Sequence, residues 1–194
     1  MSEQIYSPEE QSYEILESIR TRRSIRIYHP DKPLPAEAVQ VILEAGLRAP
    51  SSKNRHTTQF ILIEDKEKLI ELSYMRERGC TFLRDVPLAV VILGSPMECP
   101  HWTADASLAA GYMQLQAWAM GIGSCWSDVE GEFTGNGQDS AEYVRNALGI
   151  PYQLEVLCIL GFGYVNGEAP ERPVESLKWE KIHIGSYQEP NIED

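Results

Sequence analysis

Apolar residues recur along the chain with two spacings, and the switch between them marks out its elements. Ile15, Leu16 and Ile19 fall at helical intervals behind Ser7-Pro8-Glu9-Glu10. There Ser7 can cap, Pro8 suits the first helical position and Glu10 closes a capping box, which predicts a helix to about Thr21. Pro35 opens a second helix with Val39, Ile42, Leu43 and Gly46 on one face, ending before Pro50. Gln59-Phe60-Ile61-Leu62-Ile63 concentrates β-branched and aromatic residues and predicts a strand. Asp65 to about Arg78 predicts a helix carrying Leu69, Ile70 and Leu72. Val86–Leu93 is apolar on both faces, the pattern of an inner strand covered on both sides. Thr103 to Met120 is rich in Ala and Leu nearly all round, which predicts a buried central helix stopped by Gly121. Ile122–Ser127 is short and Gly-punctuated, and Ser127–Ser140 is an acidic, Gly-rich loop. A further helix starts at Asp139 or Ser140 and ends at Gly149 before Pro151, and Leu154–Phe162 is a second fully apolar strand.

The order helix, helix, strand, helix, strand, helix, short strand, helix, strand predicts an α+β fold, a mixed sheet flanked by helices. From Gly163 onward Pro and charge rise and periodicity fades, yet Trp179, Ile182, Ile184 and Tyr187 remain. Apolar residues on such a tail imply that it docks on something. With no repeat, low-complexity tract or linker, the 194 residues read as one domain, 1–194.

Composition narrows the functional classes. Apolar residues are 43% and charged residues 24%, which excludes wholesale disorder. Lys and Arg number 17 against 29 Asp and Glu, a formal charge of −12. That balance argues against a general nucleic-acid binder and against adhesion to anionic membranes. No apolar run approaches the roughly 20 residues of a membrane span, the longest being Val86–Gly94 with Pro87 inside it. The polar, acidic N-terminus has no signal-peptide core behind it, so a cytoplasmic protein is expected. Cys80, Cys99, Cys125 and Cys158 form no CxxC pair and are expected to be free thiols.

Four segments can carry chemistry. Arg20-Thr21-Arg22-Arg23-Ser24-Ile25-Arg26 places four arginines in seven residues. It is either a basic turn paired with some of the acids or an anion clamp, since guanidinium forks match phosphate oxygens two at a time. Ala49-Pro50-Ser51-Ser52-Lys53-Asn54-Arg55-His56 lies between a helix end and a strand start. Its residues suit an ordinary turn, and the Asn54 amide can also read the edge of a planar heterocycle. Gly121-Ile122-Gly123-Ser124-Cys125-Trp126 permits close backbone approach or makes a tight turn into an edge strand. Pro170-Glu171-Arg172-Pro173 holds a lone arginine that matters if the tail folds back near the first cluster. Cys99-Pro100-His101 lacks a second ligand pair, so no metal site is expected. Trp102, Tyr112, Trp118 and Trp126 suit a core or a dimer face.

Taken in order, these segments resemble the nitroreductase family of FMN-dependent oxidoreductases, over about Ile15 to Arg172. The resemblance is carried by Arg22-Arg23-Ser24-Ile25-Arg26-Ile27-Tyr28, Ala49-Pro50-Ser51-Ser52-Lys53-Asn54 and Gly121-Ile122-Gly123-Ser124-Cys125-Trp126. Leu154–Phe162 followed by Gly163-Tyr164 resembles the family's last core strand. It implies an intertwined homodimer with FMN held at the interface, its phosphate and ring contacts coming partly from different subunits. The extension 163–194 would dock on the partner subunit. It implies Arg22 and Ser24 on the phosphate or ribityl chain, with Arg23 in the same segment. It also implies Arg26 near the flavin pyrimidine edge, Ser51 and Asn54 from the second segment, and Arg172 closing on the phosphate. Backbone around Trp126-Ser127-Asp128 would approach the ring near N5. NADH or NADPH is the implied electron donor, and nitroaromatics or quinones the implied acceptors. No protein nucleophile is needed.

The chain departs from the family pattern at His56-Thr57-Thr58, where many members read Gln-Pro-Trp, and in the acidic Ser127–Phe133 stretch. Carboxylates there would repel phosphorylated donors. His56 is a proton donor to the substrate or a solvent-facing histidine. A specialised flavin enzyme (reductive dehalogenation or oxygen-dependent flavin chemistry) and a non-catalytic flavin-binding protein are the alternatives.

Overall fold

The computed structural model describes residues 8–169 and 172–189; Ser7 of the expected capping box, with Pro170 and Glu171, lies outside them. The elements are α1 (Pro8–Thr21), α2 (Ala36–Leu47), β1 (Gln59–Ile63), α3 (Lys66–Leu72), β2 (Leu88–Gly94), α4 (Trp102–Ala119), β3 (Ile122–Asp128), α5 (Ser140–Leu148) and β4 (Glu155–Tyr164). Their order is the one the hydrophobic pattern predicts. The strands form one sheet in the order β1-β2-β4-β3, antiparallel at each contact. The parallel component is a single bridge, Ser24 to Ser124.

The two wholly apolar strands take the two inner places, and their alternating side chains divide the interior in two. Leu88, Val90 and Ile92 of β2, with Leu160 and Phe162 of β4, face Val39 and Ile42 of α2 and Ala106, Ala110 and Met113 of α4. Ala89, Val91 and Leu93, with Ile159, face Leu69, Leu72, Met75, Phe82 and Val144 on the opposite side. Full burial of each such aliphatic side chain contributes about 1.5–3 kcal/mol. β1 and β3 are left as the edges.

Helix ends follow local chemistry. Asp65 caps α3 by accepting from the Lys68 amide at 2.7 Å, and Asp139 caps α5 by accepting from the Glu142 amide at 2.9 Å. α5 stops at Gly149 with φ +66°. α3 is shorter than its expected run to Arg78. Ser73 ends it, its hydroxyl donating to Ile70 O at 2.7 Å, and the Cys80 thiol donates to Ser73 O at 3.1 Å. Residues 73–80 thereby fold into turns that bury Leu72 and Met75 together. No helix among the described residues is long and apolar enough to cross a membrane.

One close approach decides where the site lies. A Cβ on Gly123 would sit 2.8 Å from Val165 Cγ2 and 2.9 Å from Ile25 Cγ1. The bare backbone of β3 therefore admits the segments on either flank of the arginine cluster and the last strand. Gly123→Ala must push two β-branched side chains aside, which should cost about 1–3 kcal/mol. At this chain length that lowers the melting temperature by about 3–10 °C. A calorimetric melt within one degree of the wild type would show that the approach is not tight.

Candidate functional site

The arginine segment is seated on the outer edge of β3 by a short series of fixed contacts. At its start, the Thr21 hydroxyl donates to Glu17 O at 2.7 Å and accepts from Trp118 Nε1 at 2.8 Å, tying the end of α1 to the end of α4. The Ile25 amide then donates to Ser124 O at 2.9 Å. Ile25 and Tyr28 are buried, and the Tyr28 hydroxyl donates to Ile25 O. Tyr28 bridges Val165, His29 N donates to Tyr164 O, and Asn166 N donates to Ile27 O. The segment is thus stitched on one side to β3 and on the other to the chain leaving β4. Between Arg23–Ile27 and Val165–Ala169 runs a groove of about 340 Å³.

The four arginines have different surroundings. Arg23 Nη1 donates to Arg20 O and Arg22 O, both at 2.7 Å, so this side chain caps carbonyls at the end of α1 while also lining the groove. Arg22 and Arg26 lie within 4 Å of no carboxylate among the described residues, although the chain carries 29 acids. Their field reaches the buried Cys125: burial pushes its thiol up, and Arg26 and Arg22 pull in the opposite direction. Ser24 is exposed beside them. Two guanidinium groups, Arg22 and Arg26, without a carboxylate partner among the described residues and beside an open hydroxyl, suit an oxyanion.

β3 supplies the adjoining backbone. Because Ser124 O turns outward to accept from Ile25, the period of two turns the Trp126 amide and carbonyl to the same open edge. Ser127 is buried, its hydroxyl is enclosed without a partner among the described residues, and the same period turns its amide and carbonyl toward β4, so the structure does not present Ser127 at the open edge, contrary to the expectation from the sequence. Trp126 Nε1 donates to Asp128 Oδ1 at 2.5 Å. Asp128 Oδ2 lies 3.8 Å from Arg76 Nη1, and Arg76 Nη2 is 2.8 Å from Glu132 Oε1. Two carboxylates of the acidic loop are therefore countered by an arginine that the sequence reading passed over, in the turn after α3. Phe82 is buried in the core, and Tyr74 is exposed under the Arg84 guanidinium.

The second expected segment lies elsewhere. Ser51–His56 forms a tight loop in which Lys53, Asn54 and His56 have φ of 54°, 56° and 49°. Inside it, the His56 amide donates to Ser51 Oγ at 2.9 Å and His56 Nε2 lies 2.8 Å from Asn54 Oδ1. The loop is bound to Asp105 in the first turn of α4, whose Oδ1 accepts from Ser52 N and Ser52 Oγ, each at 2.9 Å. The Cys99 thiol donates to Asp105 Oδ2 at 3.4 Å. Burial alone would raise the Asp105 carboxyl, but these three donors, with His101 nearby, hold it below the usual aspartate value. The signal in the sequence was that Asp105 is the one charged residue of α4. All four cysteines are buried free thiols.

The two segments therefore sit at opposite ends of one helix. Asp105 anchors the serine loop and Trp118 anchors the arginine segment; at 1.5 Å per residue these anchors are about 20 Å apart. Arg172 lies outside the groove, its Nε donating to Ser176 Oγ at 3.4 Å. The tail beyond it leaves Trp179, Ile182, Ile184 and Tyr187 exposed. A separate groove of about 470 Å³ runs between α1, α2 and α4, with Ile15 and Tyr112 in its wall.

Comparison with known proteins identifies the family and the fold. The sequence model of the Nitroreductase family matches residues 19–78 and 71–164. A candidate NADH dehydrogenase/NAD(P)H nitroreductase of Archaeoglobus fulgidus is 33% identical over 159 residues, 80% of this chain and 87% of that protein. Among solved structures, an FMN-dependent nitroreductase from Clostridium difficile superposes with a TM-score of 0.85 and 39% identity, covering 89% of this chain and 99% of the other. A candidate NADH dehydrogenase/NAD(P)H nitroreductase from Parabacteroides distasonis gives 0.81 and 27%, covering 89% and 98%. The chain belongs to the nitroreductase family.

Proposed function

We propose that this chain is an FMN-dependent oxidoreductase that draws electrons from NADH or NADPH and works as a homodimer. The observation that carries the reading is the pair of arginines, Arg22 and Arg26, fixed on the β3 edge without a carboxylate partner among the described residues. In a chain of net charge −12, that local excess of positive charge fits a bound monophosphate. The flavin-dependent relative from Clostridium difficile supports the choice of ligand.

When bound, FMN supplies the two-electron exchange between the reduced nicotinamide and an acceptor. The residues of this chain hold and tune it. Arg22 and Ser24 grip the phosphate or ribityl chain, with Arg23 bracing the segment through its bonds to Arg20 O and Arg22 O. Arg26 places a fixed cation where reduction puts negative charge. The outward main chain at Trp126, flanked by Ser127 and Asp128, meets the ring. Arg172, outside the groove of the single chain, adds a phosphate contact from the tail. Arg76, by binding Asp128 and Glu132, lowers the repulsion that the acidic loop would exert on a phosphorylated donor.

Ser51 and Asn54 read the polar edge of the ring, and they do so across the subunit interface. The separation of about 20 Å between the two anchors on α4 favours a site completed by a second copy. Exposed Ile15, Ile19, Leu108 and Tyr112 offer an apolar surface for that copy, and the exposed tail beyond Arg172 docks on it; Gly163 and Tyr164, expected to begin that extension, instead complete β4 within this chain. Nitroaromatics and quinones are the acceptor classes this reading assigns.

Purified protein should be yellow, with a flavin absorption band that bleaches anaerobically on addition of NADH or NADPH. Colourless protein that neither takes up added FMN nor reduces it would refute the reading. Arg22→Ala should weaken FMN binding about 10- to 150-fold, the loss of one charge-assisted contact of about 1.5–3 kcal/mol. Arg26→Ala should shift the flavin potential more than the affinity. Equal loss of FMN in both variants, measured by fluorescence titration, would contradict the division of roles.

A further inference from the structure

Three residues of the serine loop are held in a main-chain conformation that residues with a Cβ rarely adopt. Lys53, Asn54 and His56 all have φ near +50°. Such backbone strain persists where the surroundings over-determine it. Lys53, Asn54, Arg55 and His56 are all exposed, so burial of their side chains does not hold the loop. Two tethers do. Arg55 Nη1 donates to Glu98 O on the surface, and Ser52 donates twice to the buried Asp105.

Asp105 is 4% exposed. A carboxylate in that position is expensive unless its oxygens are occupied, and an apolar side chain would pack beside Ala106 and Ala109 without that cost. Both oxygens are in fact spent on the loop and its neighbour: Oδ1 on Ser52 N and Oγ, Oδ2 on Cys99. The carboxylate also lies in the first turn of α4, where the helix dipole favours negative charge.

We propose that Asp105 is a positioning residue for the cofactor: by gripping Ser52 it locks the flanking Ser51 and Asn54 in the one strained geometry in which they meet the flavin. This rests on the flavin-binding role given to Ser51 and Asn54 above. Asp105 itself touches no ligand in this account. It acts through Ser52, on a loop that would otherwise relax out of the left-handed region.

The test measures FMN affinity of the folded protein beside the accessibility of the loop. Lys53 and Arg55 are exposed trypsin sites within it. Asp105→Ala should weaken FMN binding about 10- to 100-fold and speed cleavage after Lys53 and Arg55 in FMN-free protein. Asp105→Asn keeps an acceptor oxygen for Ser52 and should recover affinity to within about threefold of wild type. Ser52→Ala, which leaves α4 intact, should cost about 3- to 10-fold and carries the test if Asp105→Ala does not fold. In the double variant Asp105→Ala/Ser52→Ala the two losses should be markedly less than multiplicative. A merely structural Asp105 would lower the urea midpoint while folded variants bound FMN and resisted trypsin like the wild type, and that result overturns the proposal. If wild-type protein binds no FMN, the functional reading falls and the proposal with it; if only the variants match wild type, the proposal alone falls.

Discussion

The hydrogen bond from the Ile25 amide to Ser124 O is the contact on which the arrangement of this molecule turns. It docks an arginine-rich stretch along the outer edge of a sheet whose interior is already complete. Gly123 makes the approach possible, because β3 has no side chain where Ile25 and Val165 come in. Tyr28, buried and bonded back to Ile25 O, keeps the stretch from peeling away. An exposed strand edge is ordinarily a hazard for aggregation. Here the first part of it is covered by the chain itself, and the part at Trp126 remains open beside a positive cluster.

Electrostatics then separates the site from the rest of the surface. The chain is strongly acidic, yet Arg22 and Arg26 are not drawn into ion pairs with its carboxylates among the described residues. Where acids do approach, in the loop after β3, Arg76 reaches across from the turn after α3 to meet them. Surface ion pairs of this kind contribute little to stability, generally under about 1 kcal/mol. Their consequence is local: they set the orientation of Asp128, which in turn holds the Trp126 indole.

Much of this was legible in the chain. Two runs apolar on both faces, Val86–Leu93 and Leu154–Phe162, could only be inner strands, and β2 and β4 take those places. Gly149 and Asp139 marked the ends of α5 because their roles are local. The arginine stretch stood out as well, as a cluster of one residue type. What stayed hidden depends on contacts between distant positions. Helical spacing after Asp65 did not reveal that Ser73 and Cys80 would close a turn. The bond between Ser52 and Asp105 spans 53 positions. The separation of the serine loop from the arginine stretch emerges only once α4 is placed between them. Arg172, expected to close on the phosphate, donates instead to Ser176, in a tail whose apolar side chains are left exposed among the described residues.

The central claim is that a phosphate group, held by the arginines on the β3 edge, secures a flavin. Titrating the protein with FMN and with riboflavin, which differ by that phosphate alone, addresses it directly. The account predicts that FMN binds at least about tenfold more tightly and that its advantage shrinks as salt rises, as charge-assisted contacts require. Equal affinities for the two flavins, insensitive to salt, would contradict it.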